Sequence, residues 1–365
     1  MVSTIEVPFP LNNTGKAKPR AIDLDESGSN LIVGTAASEI YKIEVHSEGG
    51  ILKSSGPQAA ELLVTGHHAP KNKDTNEVWG LCAIPKTGEF VSVSDDATLR
   101  VWSASERKQV KLIDLNLRAE GQALPPDPKT KELSWAAQAR SVDVSADGGH
   151  VAVGFRNGEV RVYRTQDWKL LRTLKKPMAA DEWIEDLKFS PDGNYLAVSS
   201  HDNKVYVFNS TKLELFCTLK GSSSFITHLD WSQDSRFIRT NDGSYELLFY
   251  AVKQGNQAPH AGSALRDTAW QTSTCPISWA TQGIWGPGYD GTDINHCDVS
   301  EDAHPDGYQI LATGDDFGRV KLYRYPSMVE PSKAITLRGH SSHVTKVKFN
   351  GKYLFSTGGN DATVI

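Results

Sequence analysis

The sequence predicts an all-β fold closed into a seven-bladed β-propeller, and three observations predict it. The first is a recurring phrase: a short apolar strand, a turn rich in Ser, Asp, Gly and Asn, then an alternating strand ending in an aromatic. It reads FVSVSDDATLRVW up to Trp102, VAVGFRNGEVRVY up to Tyr163, LAVSSHDNKVYVF up to Phe208 and IRTNDGSYELLFY up to Tyr250. ILATGDDFGRVKLY, up to Tyr323, is a looser copy, and LIVGTAASEIYKI, before Glu44, a weaker one. The second is spacing. The successive ends from Trp102 to Tyr323 lie 61, 45, 42 and 73 residues apart, and the middle two match the ~40–45 residues of one four-stranded blade. The third is the lack of any convincing helical period, which leaves helices short or absent.

Each phrase is flanked by two more strands. Before it stands a strand of period two, such as ARSVDVS, WIEDLKFSPDG, FITHLDWSQD or HVTKVKFNG. After it comes a fourth, such as KQVKLIDL, KLLRTLKK, LELFCTLKG or KAITLRGH. Strands joined by Asp-Gly, Asn-Gly or Asp-Asn turns are meander chemistry. The expected blades span 19–65, 77–115, 138–176, 183–220, 224–252, 293–338 and 343–365, within one domain covering 1–365. The long spacings carry insertions at 116–134 and 251–293, so the sixth blade is expected to be atypical. LFSTGGNDATVI stops one residue short of its aromatic, so the last blade is expected to be incomplete, as in a piece of a longer chain. A ring must close, because an open edge invites aggregation. The alternation of residues 3–7 suits the closing outer strand, and Pro8 and Pro10 then end it.

Composition narrows the function. The 365 residues suffice for two or three ordinary domains or one large all-β assembly. Hydrophobic residues at 39% against charged residues at 23% support a core. The 39 Lys+Arg against 44 Asp+Glu leave a net charge of −5, which argues against a nucleic-acid partner. No apolar run approaches the ~18 residues of a membrane span, so no membrane partner is expected. The N-terminus MVSTIEVPFP lacks the basic and apolar regions of a secretory signal. Cys82, Cys217, Cys275 and Cys297 form no C-x-x-C pair, which suits a reducing compartment and small core thiols.

Two copies carry the Gly-His punctuation of WD repeats, at Gly66-His67 and Gly339-His340. In the second blade His67, Ser92, Asp96 and Trp102 stand where a His, a hydroxyl, a turn Asp and a Trp can chain hydrogen bonds between strands. His340 and Asp361 stand likewise in the last blade. A satisfied polar network of this kind rigidifies a blade, so these residues are read as structural and not catalytic.

The residues also carry a family. SSFITHLDWSQD, GIWGPGYDGTDIN, LATGDDFGRVKLYRYP, and GHSSHVTKVKF with FSTGGNDATVI resemble the C-terminal part of the echinoderm microtubule-associated protein (EMAP-like) family. NEVWGLCAIP and LAVSSHDNKVYVF are similar to it as well. The resemblance covers nearly the whole chain and is strongest after residue 180. It implies an N-terminal coiled coil and basic region, a short hydrophobic motif and two tandem propellers, of which this chain resembles the second. It also implies a non-catalytic propeller that binds tubulin or microtubule-bound partners, in the cytoplasm, the microtubule cytoskeleton or a ciliary axoneme.

Motifs of chemistry are weak beside this. Residues 286–291 spell G-x-G-x-x-G, but Pro287 interrupts and an alternating strand follows, where a dinucleotide site needs a helix. Asp290, Asp293 and Asp298 do not fit an EF-hand loop. The pairs Asp95-Asp96 and Asp315-Asp316 read as hairpin turns. No G-x-S-x-G, H-E-x-x-H or G-x-x-x-x-G-K-[ST] occurs, so neither enzyme activity nor a cofactor or metal is expected. An enzyme propeller with converging acids from several blades is the alternative of another class. A general scaffold in signalling or ubiquitin transfer is a third reading, separated from the first by the resemblance alone. Specificity is expected in the loops. Lys71, Lys73, Lys129 and Lys131 give two of them positive charge suited to tubulin's acidic tails. Trp285 and Tyr289, in a segment too apolar for a plain linker, either pack between the fifth and sixth blades or anchor a partner.

Overall fold

The computed structural model describes residues 19–35, 38–48, 51–54, 60–68, 77–117, 123–125, 134, 136–174 and 182–365. Within them the chain forms seven antiparallel sheets. The first holds β1 (Pro19–Leu24), β2 (Asn30–Thr35), β3 (Glu39–Glu48), β4 (Ile51–Ser54) and β5 (Ala60–Thr65). The second holds β6 (Val78–Ala83), β7 (Glu89–Ser94), β8 (Thr98–Ser103) and β9 (Lys108–Asp114). The third holds β10 (Ala139–Val144), β11 (His150–Phe155), β12 (Val160–Arg164) and β13 (Lys169–Leu174). The fourth holds β14 (Ile184–Phe189), β15 (Tyr195–Ser200), β16 (Lys204–Asn209) and β17 (Leu215–Leu219). The fifth holds β18 (Ile226–Trp231), β19 (Phe237–Asp242), β20 (Leu247–Ala251) and β21 (Asn256–Gln257). The sixth holds β22 (Ile294–Val299), β23 (Gln309–Asp315), β24 (Arg319–Tyr325) and β25 (Ile335–Arg338). The seventh holds β26 (Val344–Asn350) and β27 (Tyr353–Gly358), with one further bridge from Thr357 to Val364. Among the described residues helix is confined to α1 (Ala261–Ala264) and a 3₁₀ turn at Trp279–Ile284, both in the 251–293 insertion. Residues 3–7, expected to close the last blade, lie outside the described residues.

The recurring turns follow from side-chain chemistry. Between β14 and β15 the Ser190 hydroxyl donates to Asp192 at 2.6 Å and accepts from the Tyr195 amide at 2.9 Å. Gly193 sits there at φ 72°, which a glycine adopts without strain. Ser145 and Asp147 repeat the arrangement after β10, and Ser232 and Asp234 after β18.

Sheets stack face to face, so the middle strands are buried on both sides. β15 and β11 are buried at five of six positions, whereas all four residues of β25 are exposed. That explains the unbroken apolar run of each central strand against the alternation of the outer ones. Val91, Val153 and Phe155 fill the space between the second and third sheets, and Val198, Leu187 and Val162 that between the third and fourth.

The innermost strands enclose an axis. β6 packs on β10, β10 on β14, β14 on β18, β22 on β26, and β26 on β6. Residues 272–275 wedge between β18 and β22: the Asp230 carboxylate accepts from the Thr274 amide, and the Cys297 thiol donates to the Ser273 carbonyl at 3.1 Å. The closure from β26 to β6 is pinned by the Thr345 hydroxyl, which donates to the Val78 carbonyl. The first sheet meets the second through β5 and β9. β1 is exposed along all six residues, and the first sheet keeps a small core of its own around Tyr41 and Ile43. A cleft of about 710 Å³, lined by Ile40, Leu62, Phe90, Trp102 and Phe355, lies between it and its neighbours.

Candidate functional site

Every innermost strand begins with the same irregularity. The pairing register shifts between Val78 and Gly80, Ala139 and Ser141, Ile184 and Asp186, Ile226 and His228, Ile294 and His296, and Val344 and Lys346. Such a bulge sets two residues against one and re-aims the side chains beside it. The axial space is consequently lined by polar residues from strands that otherwise read as apolar. Its mouth is a cavity of about 440 Å³ walled by Trp79, Glu185, His228, Asn295, Thr345 and Lys346. Below it a smaller cavity of about 40 Å³ reaches Cys82, Asp143, Asp186, Lys188, His296 and Lys348.

Most of these charges are tied across sheets. Lys188 donates to Asp186 at 2.6 Å, to the Leu229 carbonyl at 2.6 Å and to Thr274 at 2.9 Å. Asp186 accepts from the Leu229 amide at 3.1 Å, Asp143 from the Phe189 amide at 2.8 Å, and Asp298 from the Phe349 amide at 2.8 Å. Each carboxylate thus sews its sheet to the next. Lys348 reaches Asp298 at 3.0 Å, and Arg239 reaches Asp230 at 2.9 Å. Burial pushes the Asp143 carboxyl up to about 6. Burial would also lower Lys188, but the Asp186 and Asp230 carboxylates outweigh it and raise it. Burial and then the Lys346 charge push the His228 ring down to about 4. On the rim the Arg140 guanidinium lies between the Trp79 and Trp183 rings, at 4.1 and 4.4 Å from their centroids.

The WD-type residues meet elsewhere, at the flank of the second sheet. Trp102 Nε1 donates to Ser92 Oγ at 2.7 Å, Ser92 Oγ lies 2.8 Å from His67 Nε2, and His67 Nδ1 lies 2.9 Å from Asp96 Oδ2. Asp96 also holds the His68 amide at 3.0 Å, Thr98 at 2.6 Å and Arg100 at 3.2 Å. Burial pushes the His67 ring down, with the Asp96 carboxylate opposing it. Burial also works against the Asp96 charge, but His67 and Arg100 outweigh it and hold the carboxyl well below its ordinary range. In the last sheet His340 lies 3.1 Å from Asp361 and 2.8 Å from Ser356. Ser356 escaped the sequence reading, although its place matches Ser92 in the phrase FVSVS against LFSTG.

The remaining expected residues scatter. Trp285 is half-buried beside Ile284 and Ile294, and its indole N–H donates to the Pro276 carbonyl at 3.2 Å. Trp279, by contrast, stays 47% exposed. Tyr289 is half-buried, bonded to Lys321 and edge-on to Phe317 at 6.4 Å. Asp290 accepts from the Thr292 amide at 2.8 Å, and Asp293 from the Asp290 amide at 2.9 Å, which sets the turn before β22. Lys71, Lys73, Lys129 and Lys131 lie outside the described residues. Among the described residues no group of three or more His, Cys, Asp or Glu is placed to hold a metal ion, and no helix is long and apolar enough to cross a membrane. The axial residues were missed by sequence reasoning. A column through Gly80, Ser141, Asp186, His228, His296 and Lys346 in the aligned first strands is the signal that reveals them.

Residues 78–365 match the family described as the echinoderm microtubule-associated protein second beta-propeller. A ciliary WD repeat-containing protein, ctxp80, of Euplotoides octocarinatus is 32% identical over 94% of this chain and 45% of its own length. Human echinoderm microtubule-associated protein-like 2 is 34% identical over 93% of this chain and 46% of its own. Mouse echinoderm microtubule-associated protein-like 3 is 33% identical over 92% of this chain and 33% of its own. The chain thus spans less than half the length of these relatives. A succession of antiparallel sheets around a polar axis, matched over this length to one family's propeller, shows that the chain belongs to the echinoderm microtubule-associated protein-like family.

Proposed function

We propose that the chain is a non-catalytic WD-repeat propeller of a microtubule-associated protein, that it binds tubulin or partners bound to the microtubule lattice, and that it works in the cytoskeleton or the cilium. The observation that carries this reading is the similarity to proteins named as microtubule-associated or ciliary over more than nine-tenths of the chain. The non-catalytic part is supported by the axial carboxylates, which are committed to backbone amides and lysines of the next sheet. Contact falls to the loops, including Lys71, Lys73, Lys129 and Lys131, and to the half-buried Tyr289, with Trp285 serving mainly as packing.

Co-sedimentation of the chain with polymerised tubulin across a salt series tests the reading. The chain is expected in the pellet at low salt and in the supernatant as charge contacts are screened. Glu at the four loop lysines is expected to weaken pelleting. A chain that stays in the supernatant at the lowest salt contradicts the proposal.

A further inference from the structure

Beside the axial mouth an arc of aromatic rings runs from the fifth sheet to the sixth. Phe225 lies against Gly243, where a Cβ would fall 2.6 Å from its ring. Tyr245 lies against Gly291, where a Cβ would likewise run into the ring. Tyr289, on the same turn as Gly291, meets Phe317 edge-on at 6.4 Å. The Asp316 amide donates to the Asp293 carbonyl at 3.0 Å and joins the two turns. The rings keep much of their surface in water: Phe225 is 40% exposed, Tyr245 50% and Phe317 58%. Tyr245 also stands where the backbone disfavours it. Its amide closes the hairpin turn on the Asp242 carbonyl at 3.0 Å, with φ at 64°. The second, third, fourth, sixth and last sheets fill the same left-handed place with Ala97, Gly158, Asn203, Gly318 and Ala362. A bulky ring is strained there, where glycine or asparagine is not. Strain kept for a side chain that stays half in water points to recognition.

The arc is also acidic. Asp242 accepts from the Ser244 amide at 3.0 Å, and Glu246 from the Ser223 amide at 3.1 Å. Asp290 accepts from the Thr292 amide at 2.8 Å, Asp293 from the Asp290 amide at 2.9 Å, and Asp316 from Asn295 at 2.7 Å. All these donors are neutral, so the negative charge stands uncompensated. Lys321 is taken by Asp315 at 3.4 Å, which leaves Lys220 and Arg319 as the other cations on residues 220–226, 242–247, 289–295 and 315–321.

We propose that this arc is an interaction surface for an arginine-bearing basic segment of a partner protein. The excess of carboxylates selects a cation. The exposed rings select arginine among cations, because a planar guanidinium stacks on a ring while its N–H groups reach a carboxylate. Each of two rings has its carboxylate next to it in the chain, Glu246 after Tyr245 and Asp316 before Phe317. The chain already uses the mode once, with the Arg319 guanidinium 5.5 Å from the centroid of the Phe317 ring. A nucleic acid or an anionic membrane brings the wrong sign. The surface is opposite in charge to one that meets tubulin's acidic tails, so it stands apart from the microtubule reading.

The test uses the full chain and a fluorescent peptide, Gly-Arg-Ala-Arg-Ala-Gly amidated at its C-terminus, with its lysine and citrulline counterparts. Citrulline keeps the planar head and drops the charge; lysine keeps the charge and drops the plane. Anisotropy is expected to show the arginine peptide bound at least about tenfold more tightly than the citrulline peptide and about threefold more tightly than the lysine peptide. Tyr245→Asn is expected to remove the preference for arginine over lysine. Asparagine suits the left-handed turn, so the melting temperature of that variant is expected to hold or rise, which separates lost binding from lost folding. Phe317→Ala, which removes an exposed ring from another turn, is expected to weaken the same preference. Asp316→Asn combined with Glu246→Gln is expected to weaken the arginine and lysine peptides alike. Equal binding of the arginine and lysine peptides to the wild-type chain reports charge alone and overturns the proposal. So does a citrulline peptide that binds as tightly as arginine, or a preference that both ring variants leave intact. Self-association of the chain that Tyr245→Asn abolishes assigns the arc to a second copy and overturns it as well.

Discussion

His67 Nδ1 stands 2.9 Å from Asp96 Oδ2, across 29 residues of chain, with both side chains withdrawn from water. The pair joins the loop after the first sheet to the hairpin turn of the second. Asp96 also serves Arg100, so its loss leaves a buried guanidinium without its anion. Asp96→Ala is therefore expected to cost about 3–5 kcal/mol in urea denaturation. Trp102→Phe loses one hydrogen bond to Ser92 and keeps most of the ring, so about 1 kcal/mol is expected. An Asp96→Ala protein as stable as wild type contradicts the reading of this cluster as scaffold.

His228 gives a pH dependence with a definite sign. Its folded ring titrates near 4 against an ordinary 6.5. As pH falls below 6.5, the unfolded chain takes up a proton that the folded chain refuses, so folding loses stability down to about 4 and then no more. The contribution is complete above pH 6.5 and on the order of 3 kcal/mol. His228→Gln removes it. Denaturation at pH 7.5 and 4.5 is expected to show wild type losing most of that amount more than the variant. Parallel pH curves for the two proteins contradict the burial of this ring.

Gly154 marks where the third and fourth sheets touch. A Cβ there falls 2.4 Å from Ser141 Oγ and 2.5 Å from Ile184 Cγ2. Gly154→Ala is expected to cost about 1–3 kcal/mol through overpacking. Gly88→Ala, with nothing within 4 Å of the new carbon, is the control and is expected to be neutral or slightly stabilising.

Trp285 separates packing from recognition. Its ring lies against the cluster of Ile284, Ile294 and Leu311. Trp285→Ala is expected to lower the melting temperature clearly, by about 2–4 kcal/mol of stability, and to change tubulin co-sedimentation only as far as unfolding does. Unchanged melting with lost binding assigns the ring to a partner instead.

The sheets were legible because each middle strand is buried on both faces and each turn spells its own hydrogen bonds, as Ser190, Asp192 and Gly193 do. The His67 network was legible because the spacing of a His, a hydroxyl, an Asp and a Trp reflects one geometry. The axial residues were not. Lys188 in DLKF and Asp230 in HLDW look like the solvent face of an alternating strand, and only the ring turns that face into an interior. The bulge at each strand start adds to the difficulty, since it puts Trp79, next to Gly80, on the mouth where strict alternation sends it away. The place of the first sheet was hidden for another reason. Its phrase, LIVGTAASEIYKI, reports pairing within a sheet and says nothing of which sheet lies beside it.

The direct contact of β26 with β6 has a bearing on how the molecule breathes. The second, third, fourth and fifth sheets share cores in succession, and the last shares cores with the sixth and the second, so backbone amides in β7, β11 and β15 are expected to exchange with solvent deuterium only through global unfolding. The first sheet rests on its own five-residue core and faces a cleft. It is expected to open as a cooperative unit of its own while the other sheets stay closed. Amides of β2 and β3 therefore exchange by a cheaper route, at a rate set by that sheet alone.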